Sequence, residues 1–189
     1  MTQIPFTESE ERTELRKAVF ALASKYGHTY IAEKARTGGK VTELWSDMGK
    51  HGFLGVNIAE EYGGGGGGIG DLAAVLEEAA AAGAPMLMMV IGRFGTDEQK
   101  QRWLPGIADG SYTMAFAITE ADAGSNSHNI TTTASRDGDE WVLKGQKTFI
   151  SGVDEAQGIL VVARASDART GNLKPCLFVV PTDATGLDK

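Results

Sequence analysis

A single cysteine, Cys176, stands among the 189 residues, so no internal disulfide is available to staple the fold. The three histidines, His28, His51 and His128, lie far apart and lack metal-ligand spacing, which argues against a metal site. No run approaches the ~18 apolar residues that a membrane-spanning helix needs. The segment MTQIPFTESEER is acidic and carries neither an Arg-rich presequence nor an apolar signal core, so a soluble cytoplasmic protein is expected. Basic charge is short as well. Eighteen Lys and Arg against 25 Asp and Glu leave a formal charge of −7, without the basic face that sequence-independent nucleic-acid binding requires. An anionic cofactor would have to be met by locally arranged donors.

What is present is apolar content, 42%, in a chain long enough to bury one large core or two small ones. The first half has helical periods. Thr7 and Glu10 fit a Ser/Thr-x-x-Glu capping box, followed by a stripe of Leu15, Val19, Leu22 and Tyr26 at three- and four-residue steps. Further helices are predicted over Thr42 to Lys50, over Asp71 to Ala82, and from Thr96, where Gln99 completes a second capping box, to a break at Pro105-Gly106. From Tyr112 the pattern changes to short branched runs, YTMAFAIT, GILVVARA and KPCLFVVP, with an Asp137-Gly138-Asp139 turn between two strand-like segments. An α+β chain is expected: an all-α domain over residues 1–111, then a small β-barrel-like domain over residues 112–189. Cys176 follows Pro175 in an apolar run, where a buried structural thiol is the expectation. The chain ends just after a strand, at TDATGLDK, which suggests a fragment.

The run Gly63 to Gly68 satisfies G-x-G-x-x-G at Gly63, Gly65 and Gly68, but six consecutive glycines satisfy many glycine patterns. The stretch about 20 residues on, PMLMMVIGRF, lacks the acidic residue of a dinucleotide fingerprint, and no Lys-Ser/Thr follows as in a P-loop. Glu60, Glu61 and Asp71 flank the run and would repel a phosphate. A flexible inter-helix turn is expected there.

FAITEADAGSNS, residues 116–127, is a better candidate. Pattern alone leaves a plain surface loop open. The segment nevertheless offers strand-end N–H groups, the Thr119 and Ser125 hydroxyls, and Gly124 for close approach of a ligand. In KGQKTFISG, Phe149 and Ser151 stand two apart. If that stretch is a strand, an aromatic face and a hydroxyl share one side, suiting a flat heterocycle.

FGTDEQKQRWLPGIADGSYTMAFAITEADAGSN, with GDEWVLKGQKTFISG and GVNIAEEYGG, resembles the acyl-CoA dehydrogenase family along nearly the whole chain. The resemblance implies a FAD enzyme that desaturates an acyl-CoA thioester between its α and β carbons and passes electrons to electron transfer flavoprotein. It places Phe116, Ala117, Ile118, Thr119, Gly124 and Ser125 along the flavin, with Ser125 at the pyrophosphate and near the acyl-CoA. It also stacks Phe149 on the ring face turned from substrate, with Ile150 beside it and the Ser151 hydroxyl near N5. No catalytic base is assigned within the chain: the family's glutamate belongs to a C-terminal helical bundle expected beyond Lys189. A homotetramer is the default assembly, a heterotetramer the variant. A non-catalytic flavoprotein subunit and a flavin oxidase or monooxygenase are alternative uses of the same fold. Phe149 stands where tryptophan is commoner, Ser151 where threonine is, Ala121 where proline is frequent and Asn126 where aspartate is. GAPMLMMVIGRFG is shorter than the family's connection, leaving substrate length unread.

Overall fold

The computed structural model describes residues 8–84 and 95–189, so Thr7 and most of the GAPMLMMVIGRFG connection lie outside the described residues. The chain divides into two compact units between Tyr112 and Thr113.

The first unit carries α1 (Glu10–Ala23), α2 (Gly27–Thr37), α3 (Thr42–Lys50), a 3-10 turn over Glu60–Tyr62, α4 (Ile69–Ala81) and α5 (Asp97–Asp109). The α1 stripe is real: Val19 and Leu22 are buried with Leu44, Met48 and Val75 in one cluster, with Leu15 and Tyr26 packed against it. Its cap differs from the expected one. Ser9, one residue before the helix, accepts the Arg12 N–H, so the start lies two residues after Thr7. On the outer side Arg12 pairs with Asp71, and Arg16 with Glu77 and Glu78, tying α1 to α4. These pairs are part-exposed and contribute less than about 1 kcal/mol each.

Two helical features depart from the expectation. α2 is unannounced by any strong apolar stripe; its signals are Lys34 and Arg36 in the last turn and Gly38 in the left-handed conformation (φ 68°) just after it. α5 keeps its Thr96–Gln99 capping box but runs through Pro105 to Asp109. Proline removes one helical hydrogen bond. Burial of Leu104 and Ala108 one turn apart, with Ala108 pressed where a Cβ on Gly55 would have to go, offsets that loss. The helix ends at Gly110 (φ 79°), whose carbonyl accepts the Trp45 indole N–H at 3.0 Å.

The six-glycine run is not a slack turn. Gly63 N–H donates to Glu60 O (2.9 Å), Gly64 to Ala59 O (3.2 Å), Gly65 to Gly55 O (2.9 Å), Gly66 to Ile58 O (2.8 Å) and Gly67 to Val56 O (2.8 Å). The sixth, Gly68 N–H, donates to the Asp71 carboxylate at 2.8 Å, capping α4. A Cβ on Gly64 would fall inside the Ile58 backbone, so glycine is needed there for close approach.

The second unit holds β1 (Met114–Ala117), β2 (Thr133–Asp137), β3 (Glu140–Lys144), β4 (Gly158–Ser166) and β5 (Leu173–Pro181). The long apolar β4 is central: β5 pairs antiparallel along all of it, β1 pairs parallel with its first half, and β2 joins at Thr133↔Arg164. β2 and β3 form the expected hairpin, turned by Gly138 (φ 61°). Cys176 is half-buried against Ala134, Ala163 and Ala165. No described helix is long and apolar enough to cross a membrane.

Gly64→Ala should lower stability by about 1–3 kcal/mol through overpacking, whereas Gly68→Ala, whose new Cβ meets nothing closer than 3.9 Å, should cost at most about 1 kcal/mol for a poorer cap. Denaturant unfolding of both variants checks the order; equal effects would mean the run does not pack as described.

Candidate functional site

Beyond β1 the chain continues through Ile118 and Thr119 into a tight reversal, Glu120 and Ala123 exchanging backbone hydrogen bonds at 3.2 and 3.1 Å. Ala121 occupies the second position of this turn. The Glu120 side chain turns inward and is 6% exposed. Its Oε2 accepts the Thr131 N–H (2.7 Å) and hydroxyl (2.7 Å). Its Oε1 accepts the Thr132 N–H (3.0 Å) and hydroxyl (2.6 Å) and the Lys147 ammonium (2.8 Å). Burial alone would raise this carboxyl, but Lys147 and the two threonines together hold it well below the usual carboxylate range. A carboxylate so fully engaged is no general base.

Lys147 reaches further. The same ammonium donates to Ile118 O at 3.0 Å, and the next residue, Thr148, donates its N–H to Thr119 O at 2.9 Å. The 145–149 segment is therefore fastened alongside 118–120. It is not a strand, which corrects the shared-face argument for Phe149 and Ser151: Phe149 sits in a bend and Ser151 in the turn that follows. The reason is in the backbone. Phe149 has φ 58°, a left-handed conformation outside any β ladder and one that costs a bulky residue about 1–2 kcal/mol.

The nine residues singled out from sequence all lie in the second unit and divide into two kinds. Ala117 is buried with Ala115, Ile159 and Val161; Ile150 packs on that same cluster, and Ile118 packs on Ala123, Ile130 and Val162. The side chains of these three build the core, leaving only backbone to meet a ligand. Phe116 is 43% exposed and Phe149 93% exposed. Gly124, Ser125 and Ser151 are exposed and Thr119 half-buried. Among the described residues, the N–H groups of Gly124, Ser125 and Asn126 have no backbone acceptor. The Thr148 hydroxyl is buried without a partner. Sequence reasoning did not find Lys147, Thr131 or Thr132. The only signal was a lysine interrupting a candidate aromatic site, since its carboxylate lies 27 residues away.

This inventory fits a planar, phosphorylated group. Exposed aromatic faces can take a ring, free N–H groups an anion, and space over Gly124, where an added Cβ meets nothing within 4 Å, lets a ligand approach the backbone. By the same test the Gly63–Gly68 run does not fit, because all six of its N–H groups are engaged.

Two family models match in sequence: the acyl-CoA dehydrogenase N-terminal domain over residues 9–111 and the acyl-CoA dehydrogenase middle domain over residues 115–188. The chain belongs to the acyl-CoA dehydrogenase family. It is 62% identical, over 98% of its length and 50% of the relative's, to acyl-CoA dehydrogenase FadE12 of Mycobacterium tuberculosis. An acyl-CoA dehydrogenase of Geobacillus kaustophilus superposes with TM-score 0.82 at 31% identity, covering 96% of this chain and 50% of that one. A glutaryl-CoA dehydrogenase of Mycobacterium smegmatis, solved in complex with FADH2, superposes with TM-score 0.81 at 28% identity, covering 95% and 47%. The chain thus spans about half the length of the acyl-CoA dehydrogenases it matches. Its exposed candidate residues fall in the segment matched by the middle domain.

Glu120→Gln, which leaves Lys147 buried without its counter-charge, should cost about 3 kcal/mol at neutral pH. Because the folded carboxyl sits below its unfolded value of about 4.3, the stabilisation is complete above that pH and is lost as pH falls from there toward the folded value. The melting-temperature gap between parent and variant should therefore be constant at neutral pH and narrow below about pH 4. A gap independent of pH would show that Glu120 is not held as the anion.

Proposed function

We propose that the protein carrying this chain is an FAD-dependent oxidoreductase that α,β-desaturates an acyl-CoA thioester, with residues 112–189 contributing to the flavin site. The observation that carries the reading is that the middle-domain match contains both exposed aromatic faces and backbone donors without backbone acceptors. Bound FAD supplies the hydride acceptor, chemistry that no side chain here can perform. Phe149 offers a face for the ring. The Thr119 and Ser151 hydroxyls and nearby backbone groups meet its polar edge, and Ser125, with the N–H groups of 124–126, receives the pyrophosphate. The resemblance also puts Ser125 near the acyl-CoA.

Glu120 is committed to Lys147 and the threonines and is not assigned as the base for the α proton. The resemblance assigns that role to a glutamate in the half of the family members that this chain does not span. From the same resemblance come electron transfer flavoprotein as electron acceptor, a place in fatty acid β-oxidation, and a homotetramer or heterotetramer.

The test is to purify the whole protein, reconstitute it with FAD and titrate it anaerobically with acyl-CoAs of graded length. A bound-flavin spectrum that bleaches on adding one of them is expected. Absence of flavin absorbance, or no bleaching by any acyl-CoA, overturns the reading, and oxygen consumption during turnover would assign an oxidase instead. Phe149→Gly should leave thermal stability within about 1 kcal/mol of the parent, since the side chain is 93% exposed and its φ suits glycine. It should weaken FAD binding measurably. Unchanged affinity would remove Phe149 from the site.

A further inference from the structure

Segments 118–120 and 145–149 are joined by no strand ladder: β1 stops at Ala117 and β3 at Lys144. Three polar contacts hold them together instead, Lys147 Nζ to Ile118 O (3.0 Å), Lys147 Nζ to Glu120 Oε1 (2.8 Å) and Thr148 N to Thr119 O (2.9 Å). A fourth constraint is steric. Gly145 lies so close to Thr132 that any Cβ would overlap that residue's backbone and side chain, which presses the segment against the same threonine that holds Glu120. The two side chains of the ion pair are 9% and 6% exposed. A buried ion pair is a poor means of adding stability, because desolvation offsets most of the attraction and an apolar pair of like volume would serve as well. What it supplies is direction: an ammonium with two oxygen acceptors fixes one position of its segment, which an apolar contact does not. The element positioned by this contact is Phe149, two residues on, exposed and in a strained backbone conformation.

We propose that Lys147, anchored by Glu120, is a positioning residue that sets Phe149 opposite the 116–125 segment so that both can contact one flavin. The inference rests on the flavin reading of this site. Glu120 is the fixed post, because Thr131 and Thr132 hold its carboxylate with four further hydrogen bonds. Lys147 is the movable latch, because its removal leaves that carboxylate solvated by those donors and the β core untouched. Charge and reach both matter, so Lys147→Met removes the latch while keeping the aliphatic stem. Phe178→Ala removes packing against Trp141 and the Ala134, Ala163 and Ala165 cluster and touches neither latch nor post.

The test uses the whole protein in apo and FAD-reconstituted forms, with Lys147→Met, Lys147→Arg and Phe178→Ala. Three readouts are taken: apoprotein melting temperature, amide hydrogen exchange at Thr148, and FAD dissociation constant with the visible flavin spectrum. Lys147→Met should raise the FAD dissociation constant about tenfold or more, speed exchange at Thr148 and alter the shape of the flavin band. Phe178→Ala should lower the melting temperature yet leave the dissociation constant within about twofold. Lys147→Arg, which keeps the cation, should recover part of the lost affinity. If Lys147→Met unfolds, the double variant Glu120→Gln/Lys147→Met, which buries no lone charge, is measured in its place with the same expectations. Affinity that falls only in proportion to melting temperature in all variants, or normal FAD affinity in Lys147→Met, overturns the positioning role while leaving the flavin reading intact. A parent protein that binds no FAD overturns both.

Discussion

A carboxylate taken out of water must be given donors in place of the solvent, and in this chain that requirement organises the surroundings of Glu120. Five hydrogen bonds converge on its two oxygens, from consecutive threonines ahead of β2 and from a lysine beyond β3. Every loop of the second unit that bears a candidate ligand contact is one of these partners or leaves from one. The reversal at 120–123 begins at Glu120 itself, and the bend at Phe149 begins two residues after Lys147. The carboxylate thus acts as a hub rather than as a reagent. Its depressed pKa means that the hub stays charged throughout the physiological range.

The contrast between the two glycine-bearing loops follows from the same accounting of backbone donors. In the Gly63–Gly68 run every N–H has an acceptor, five on neighbouring backbone and one on Asp71, so six glycines that look like a phosphate cradle form a sealed turn. At 124–126 one glycine suffices, because the N–H groups are left without backbone acceptors and the space over Gly124 is open. Anion recognition depends on free donors, not on the number of glycines.

The elements with strong periodicity were legible. The α1 stripe, α3 over Thr42–Lys50, the Thr96–Gln99 box and the five apolar or hairpin strand segments all stand where spacing puts them. α2 was not, because its burial comes from Tyr30 and Ile31 packing on a cluster formed mostly by other helices, a tertiary effect with little local trace. Pro105 argued for a break that burial of Ala108 overrides. At the site, the segment 116–125 was visible as a loop following a strand, while the Phe149 conformation was not. A positive φ at an aromatic residue leaves no local sequence signal, and the lysine two residues before it meets a carboxylate 27 residues away.

On the proposed reading, flavin meets 116–126 and 147–151 and leaves the six-glycine run alone. Amide hydrogen exchange of the whole protein with and without FAD tests it most directly. Protection on adding FAD should appear at Gly124, Ser125 and Asn126 and around Phe149, with Gly63 to Gly68 already slow and unchanged. Protection gained at Gly63 to Gly68, with none at 124–126, would contradict it.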